Sequence, residues 1–186
     1  MLCPLDHLSR PQGYIGIRMK YSEALRQIAE WISVPRDDPS DTVGGPRCRF
    51  AVNKKFSDDE LTRIESRFEF KLPKAYREFL KMIGSGVFYD VSSRPEIDIE
   101  LRRIDDICEM ISTMSDLPRE EVFSRYLPIG MDRTSGKALV LASGDIAGTL
   151  FEVGSLPEKW GDLELKNERG ESFEGWICNV VLSASG

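Results

Sequence analysis

Along the 186-residue chain, apolar positions recur at helical spacing in five stretches and at strand spacing in five others. In YSEALRQIAEWISV, Tyr21, Leu25, Ile28, Ala29 and Ile32 make one stripe, and Pro35 stops the helix. The stretch PRDDPSDTVGGP then reads as a linker, so this first helix either packs on the main domain or hangs from it. Residues 1–18 show no period and read as a tail, with Met19 as a conceivable later start. The pattern therefore divides the chain into a tail, helix and linker over 1–48 and a main domain over 49–186.

The main domain begins with well-marked helices. In FSDDELTRIESRF, Ser57 as N-cap and Glu60 three residues on form a capping box, and Phe56 with Leu61 fits a hydrophobic staple. Leu61, Ile64 and Phe68 then face the core. In FKLPKAYREFLKMIGSG, Pro73 suits the first turn and Leu72, Tyr76, Phe79, Leu80 and Ile83 form a stripe. Gly84 is a natural left-handed stop. Glycines that follow a helix lie where carbonyls point outward, so this is no phosphate loop, whose glycines precede a helix.

Strands follow at VFYDV and at EIDIELRR. In the second, Ile97, Ile99 and Leu101 alternate with Glu96, Asp98 and Glu100, the mark of a half-buried strand. IDDICEMISTM returns to helical spacing through Ile104, Ile107, Cys108 and Ile111. RYLPIGM, KALVLA and IAGTLFEV read as three more strands, the last two joined by a tight turn at 143–145 that holds Gly144. Gly148, within a strand, implies a bulge or a close backbone neighbour. The final helix, SFEGWICNVVL, carries Phe173, Trp176, Ile177, Val180 and Val181 on one face and is weakened by Gly175.

Charge and composition narrow the function. Acidic residues outnumber basic ones by 31 to 25, for a net charge of −6. Nucleic-acid binding is disfavoured, since neutralising phosphates needs a basic face. Cys3, Cys48, Cys108 and Cys178 form no CxxC pair, which speaks against structural zinc and for reduced thiols in the cytoplasm. No signal peptide or membrane-spanning run is present in the sequence, and no cofactor motif is found. The one histidine, His7, sits in the tail, so a serine or cysteine nucleophile lacks a held base. Cys108 and Cys178 sit on apolar stripes and read as small core residues. The acids in EIDIELRR line one strand face and do not oppose each other across a cleft, as a glycosidase pair must.

The order of helix, LPKAYREFL, glycine-rich helix end, YLPIGMDRTSGKALVL and GTLFEV resembles the SUKH superfamily, named for the Smi/Knr-type regulators of yeast cell-wall synthesis and their bacterial relatives. The matching positions are Glu65, Phe68, Leu72, Pro73, Tyr76 and Phe79 through Leu80, Gly84 and Gly86. Later ones are Leu127, Pro128, Ile129, Gly130 and Asp132, then Gly136 and Gly148. The likeness covers roughly 55–183. Gly84-Ser85-Gly86 stands where relatives have Asn-Gly-Gly, and Lys137 stands where an acidic residue is common. The resemblance implies an α+β fold, with a mostly antiparallel sheet flanked by helices. It also implies a binding role without catalysis: either an immunity protein that occludes a secreted toxin, many of which are nucleases, or a regulatory or scaffolding adaptor.

Two sequence features bear on partner binding. The acidic row Glu96, Asp98, Glu100, with Asp90 nearby, is either a solvated or edge-strand face or a docking surface for a basic protein partner. Like charges ~7 Å apart on such a face repel by ~1 kcal/mol or less in water, a cost a basic partner reverses. Arg102 and Arg103 are the candidates for internal pairing. Trp160, in LPEKWGDLEL, either anchors an interface or closes the end of the core. The expected site is thus Asp90, Glu96, Asp98, Glu100 and Trp160, with no metal, no nucleic acid and no membrane.

Overall fold

The computed structural model describes residues 19–33, 48–90, 97–114, 126–142, 147–154 and 170–185. These residues form the helices α1 (Tyr21–Ser33), α2 (Asp58–Arg67), α3 (Lys74–Met82), α4 (Ile104–Met114) and α5 (Phe173–Ser185). The strands are β1 (Cys48–Lys54), β2 (Ser85–Asp90), β3 (Asp98–Leu101), β4 (Tyr126–Asp132), β5 (Lys137–Ala142), β6 (Thr149–Val153) and β7 (Glu171–Ser172). The strands lie in one sheet in chain order, each antiparallel to the next. The architecture is α+β, with helices flanking an antiparallel sheet.

The local signals explain how the helices start and stop. Ser57 and Glu60 form the full capping box: Ser57 Oγ accepts the Glu60 N–H at 3.2 Å, and Glu60 accepts the Ser57 N–H at 2.8 Å. Asp58 in the first turn of α2 pairs with Arg77 and Lys81 of α3, tying the two helices together. Pro73 is the N-cap of α3, one position before the first turn, and its carbonyl accepts the Arg77 N–H at 2.9 Å. Between these helices, the side chain of Glu65 is only 5% exposed. Its carboxylate accepts the buried Leu72 N–H at 2.9 Å and stands 3.5 Å from Arg77 Nε. That pair of contacts satisfies a group which burial would otherwise leave costly.

At the other end of α3 the chain passes straight into the sheet. Gly84 has φ +104°, and its N–H bonds the Phe79 carbonyl at 3.0 Å. A Cβ at Gly84 would lie 2.4 Å from the Lys54 carbonyl oxygen, and one at Gly86 would lie 2.2 Å from that of Ala51. Only hydrogens fit there, so β2 is pressed on β1 beside the irregular register between Val52 and Lys54. The close approach holds an aromatic chain in place. Phe50 and Phe88 sit 4.5 Å apart, Phe50 and Phe79 6.1 Å apart edge to face, Phe79 and Phe173 5.6 Å apart, and Tyr76 and Phe173 5.1 Å apart. Residues from β1, α3, β2 and α5 thus share one core.

Several expectations need correction. Ala29 is exposed, and Ala24 and Trp31 are buried in its place with Leu25 and Ile28. The buried stripe is turned because α1 packs against both α5 and β1. Strand β1 escaped the pattern reading because Cys48, Arg49 and Phe50 are all buried in succession, which hides the alternation. Among the described residues the edges of the sheet are β1 and the two-residue β7, so β3, for which an edge position was one of the alternatives above, is interior. Gly148 precedes β6 at φ +89°, where its N–H bonds Ala142 and its carbonyl accepts from Phe173. Gly175 lies in the first turn of α5, where its N–H bonds Ser172 Oγ at 3.0 Å, so it serves the cap. The stripes over Leu72–Ile83, Ile104–Ile111 and Phe173–Val181 are buried as read. His7, Gly144 and the 143–145 turn lie outside the described residues.

Three substitutions test this arrangement. Gly86→Ala should lower the unfolding free energy by ~2 kcal/mol or more, because the added methyl must displace backbone. Gly154→Ala, where a Cβ meets nothing within 4 Å, should leave it nearly unchanged. Glu65→Ala should cost ~1–3 kcal/mol by stranding the buried Leu72 N–H, while Arg77 keeps Asp58. Urea denaturation of each variant measures these differences. Equal stability of Gly86→Ala and Gly154→Ala would contradict the close contact.

Candidate functional site

Because opposed residues in a ladder share a face, the strand register sorts the sheet residues into two sides. One row runs Phe50, Phe88, Ile99 and lies in the main core. On the opposite side, one row runs Arg49, Tyr89, Asp98 and the next runs Ala51, Val87, Glu100, Met131, Ala138, Val153. The far end of this face, at Val140, Ala142, Phe151 and Val153, is a second buried apolar cluster. Around β2 and β3 the same face is only half-buried, at Val87, Tyr89, Asp98, Glu100 and Met131. This accessible part is the candidate site.

Its charges are linked by a turn. After β4 the chain folds back at Asp132, which accepts the Thr134 N–H at 2.9 Å, the Ser135 N–H at 3.4 Å and the Ser135 hydroxyl at 2.6 Å. Burial pushes the Asp132 carboxyl upward, but these bonds outweigh it and leave the group below its ordinary range. The fixed turn delivers Arg133 onto β3. Its backbone N–H bonds the Asp98 carbonyl at 2.8 Å, its guanidinium stands 3.7 Å from the Asp98 carboxylate, and it donates to Glu100 at 2.9 Å. Arg102 Nε approaches Glu100 at 4.0 Å. Arg103 turns to Asp105 and Asp106 instead. With Arg49 also on this face, buried to 3% exposure, the surface is mixed in charge and not bare acid.

Of the expected site residues, the fold brings Asp98 and Glu100 together on one face. It does not bring Asp90 there. Asp90 opposes Cys48 and has the parity of Phe88, so it belongs to the other side of the sheet. Consistent with that placement, burial and then the Asp90 carboxylate push the Cys48 thiol up to about 11. Glu96 and Trp160 lie outside the described residues. Arg133 went unread because its role arises from a turn 33 residues beyond Glu100. The Asp-Arg-Thr-Ser-Gly sequence marks such a turn, but not what its arginine reaches.

Burial lifts the Cys108 thiol to about 12, so Cys48 and Cys108 stay protonated at neutral pH and are poor nucleophiles. Among the described residues no group of three His, Cys, Asp or Glu side chains could hold a metal ion. Nor is any helix there long and apolar enough to cross a membrane.

Comparison with known proteins places this architecture. The immunity protein RhsIB of Dickeya dadantii (strain 3937) is 35% identical over 66 residues, which is 36% of this chain and 39% of that protein. The chain thus matches well under half the length of that relative. The family model described as SMI1 / KNR4 family (SUKH-1) matches residues 55–179, from the residue after β1 into α5. Helix α1 and strand β1 precede the matched region. With more than half of its length matched, the chain belongs to the SMI1 / KNR4 family (SUKH-1).

Proposed function

We propose that this chain is a cytoplasmic immunity protein that binds a toxin domain and blocks it by occlusion, without catalysis of its own. The observation that carries the proposal is its family membership together with its likeness to an immunity protein. The unpaired thiols of Cys48, Cys108 and Cys178 support a reducing compartment. The half-buried face around Asp98 and Glu100 is the surface proposed for the partner, and a basic toxin domain such as a nuclease is the partner it suits.

The docking proposed there is an exchange of cations. Arg133 is about half exposed where it meets Asp98 and Glu100. Exposed pairs of this kind contribute ~0–1 kcal/mol, so displacing Arg133 costs little. A partner's arginine or lysine in the same place would be desolvated by the interface, where close charge pairs couple by ~1.5–7 kcal/mol. Tyr89 and Met131, on the same two rows, supply contact area beside the acids.

Co-expression with any toxin domain encoded beside this chain, scored by cell survival and by titration of purified proteins, tests the reading. The native chain should protect. The double variant Asp98→Lys, Glu100→Lys should lose protection, with binding weaker by ~2 kcal/mol or more. Arg133→Ala should keep its melting temperature and bind as well or more tightly. Full protection by the double variant would remove this surface from the proposal. A native chain that protects against no neighbouring toxin would favour the adaptor role.

A further inference from the structure

Arg133 occupies a place on the open sheet face that two neighbouring rows define. In the first row Tyr89 stands directly across the ladder from Asp98. Arg133 follows the Ile99–Asp132 pair on the other side of Asp98, with its N–H on the Asp98 carbonyl at 2.8 Å. In the second row Glu100 stands between Val87 and Met131. Directly opposed side chains start ~4.5–5.5 Å apart, so each carboxylate has an apolar or aromatic neighbour at contact distance.

One guanidinium spans both rows. Arg133 Nη2 donates to Glu100 Oε2 at 2.9 Å, while Nη1 stands 3.7 Å from Asp98 Oδ1. Two carboxylates met at once by the two terminal nitrogens of a planar group is a geometry for a fork, whereas an ammonium is a point charge that centres on one of them. The fit of Arg133 is loose, because its Asp98 contact is longer than a hydrogen bond. Its backbone is tied to β3, so its side chain must reach Glu100 from beside Asp98 and cannot approach both acids from above. The charges favour a replacement. With Arg133 swung out, Asp98 and Glu100 face a single cation within ion-pair reach among the described residues, Arg102 at 4.0 Å from Glu100. Arg49 stands two strands from Asp98, beyond Tyr89. One negative charge is then left over, which one guanidinium neutralises.

We infer that this face is selective for arginine over lysine: an arginine of the partner protein takes the place of Arg133, with its guanidinium bridging Asp98 and Glu100. The inference rests on the reading of this face as the docking surface and names the side chain that docks. Tyr89 gives the guanidinium plane an aromatic ring to stack on, a contact that favours arginine. Val87 and Met131, on either side of Glu100, receive the methylene stem. Arg133 is on this account an internal stand-in, which keeps the two acids paired until the partner arrives.

The test is an amide NMR titration of the full chain at constant ionic strength with a capped Gly-Arg-Gly peptide, and in parallel with its Gly-Lys-Gly counterpart. The arginine peptide should give saturable shifts in Ser85–Asp90, Asp98–Leu101 and the Asp132–Gly136 turn, at several-fold higher affinity than the lysine peptide. Arg133→Ala should tighten the arginine peptide several-fold, and Asp98→Asn with Glu100→Gln should weaken it about tenfold or more. The comparison of the two peptides needs no variant, so it holds whatever the substitutions do to folding. Equal affinities would overturn the arginine selectivity, and the absence of saturable shifts on this face in Arg133→Ala would overturn the site. Protection against a toxin domain by a chain that binds neither peptide would overturn this inference and leave the toxin reading standing. Arginine-selective shifts in a chain that protects against no toxin would support the site and count against that reading.

Discussion

The approach of two backbones at Gly84–Gly86 is the constraint on which the rest of this fold depends. Carbonyl oxygens of Lys54 and Ala51 occupy the space where side chains at these positions would begin. This contact lets β2 begin only two residues, Ile83 and Gly84, after α3 ends, while β2 still pairs with β1. Phe79, near the end of α3, is thereby set against Phe50 and Phe88 of the sheet and Phe173 of α5. Helix layer and sheet are joined through one set of rings, and their relative placement leaves little slack because aromatic pairs favour particular geometries. Ser85, between the two glycines, is fully buried and its hydroxyl faces the same Lys54 carbonyl.

From that junction the rest of the sheet follows in order. Strand β2 is the template for β3, and β3 for β4, so the junction also decides which residues of β3 look away from the helices. An interior strand with acids on its open side is unlike a charged edge that serves to block aggregation. Here the edges are managed otherwise, by a two-residue β7 and by α1 against β1. Asp98 and Glu100 are consequently held on a rigid surface, and their internal partner arrives from a turn. A fixed acceptor pair opposite an exchangeable arginine is well suited to recognition, since little ordering entropy remains to be lost on binding.

Much of this was legible along the chain, for physical reasons that differ by element. The α2 capping box is a local interaction among four residues and can be read without tertiary knowledge. The alternation in β3 follows from one face being buried and the other not. Strand β1 was illegible because Arg49 is buried on the open side, so the usual polar signal of that side carries no exposure with it. Asp90 looked like a member of the acidic row by nearness in sequence, yet its parity along β2 puts it on the opposite side. The bridging by Arg133 is a tertiary fact, set by an Asx-type turn far along the chain. Periodicity on α1 gave the correct helix and a face displaced by part of a turn, because α5, β1 and α3 bury it together.

The most direct test of the central claim, that the partner seats on the open face of β2–β4, is hydrogen exchange of the chain alone and in complex. The account predicts slowed exchange in Asp98–Leu101 and in the Asp132–Gly136 turn, with α1 and α5 unchanged. Protection confined to α1 and α5, with the turn exchanging as in the free chain, would contradict it.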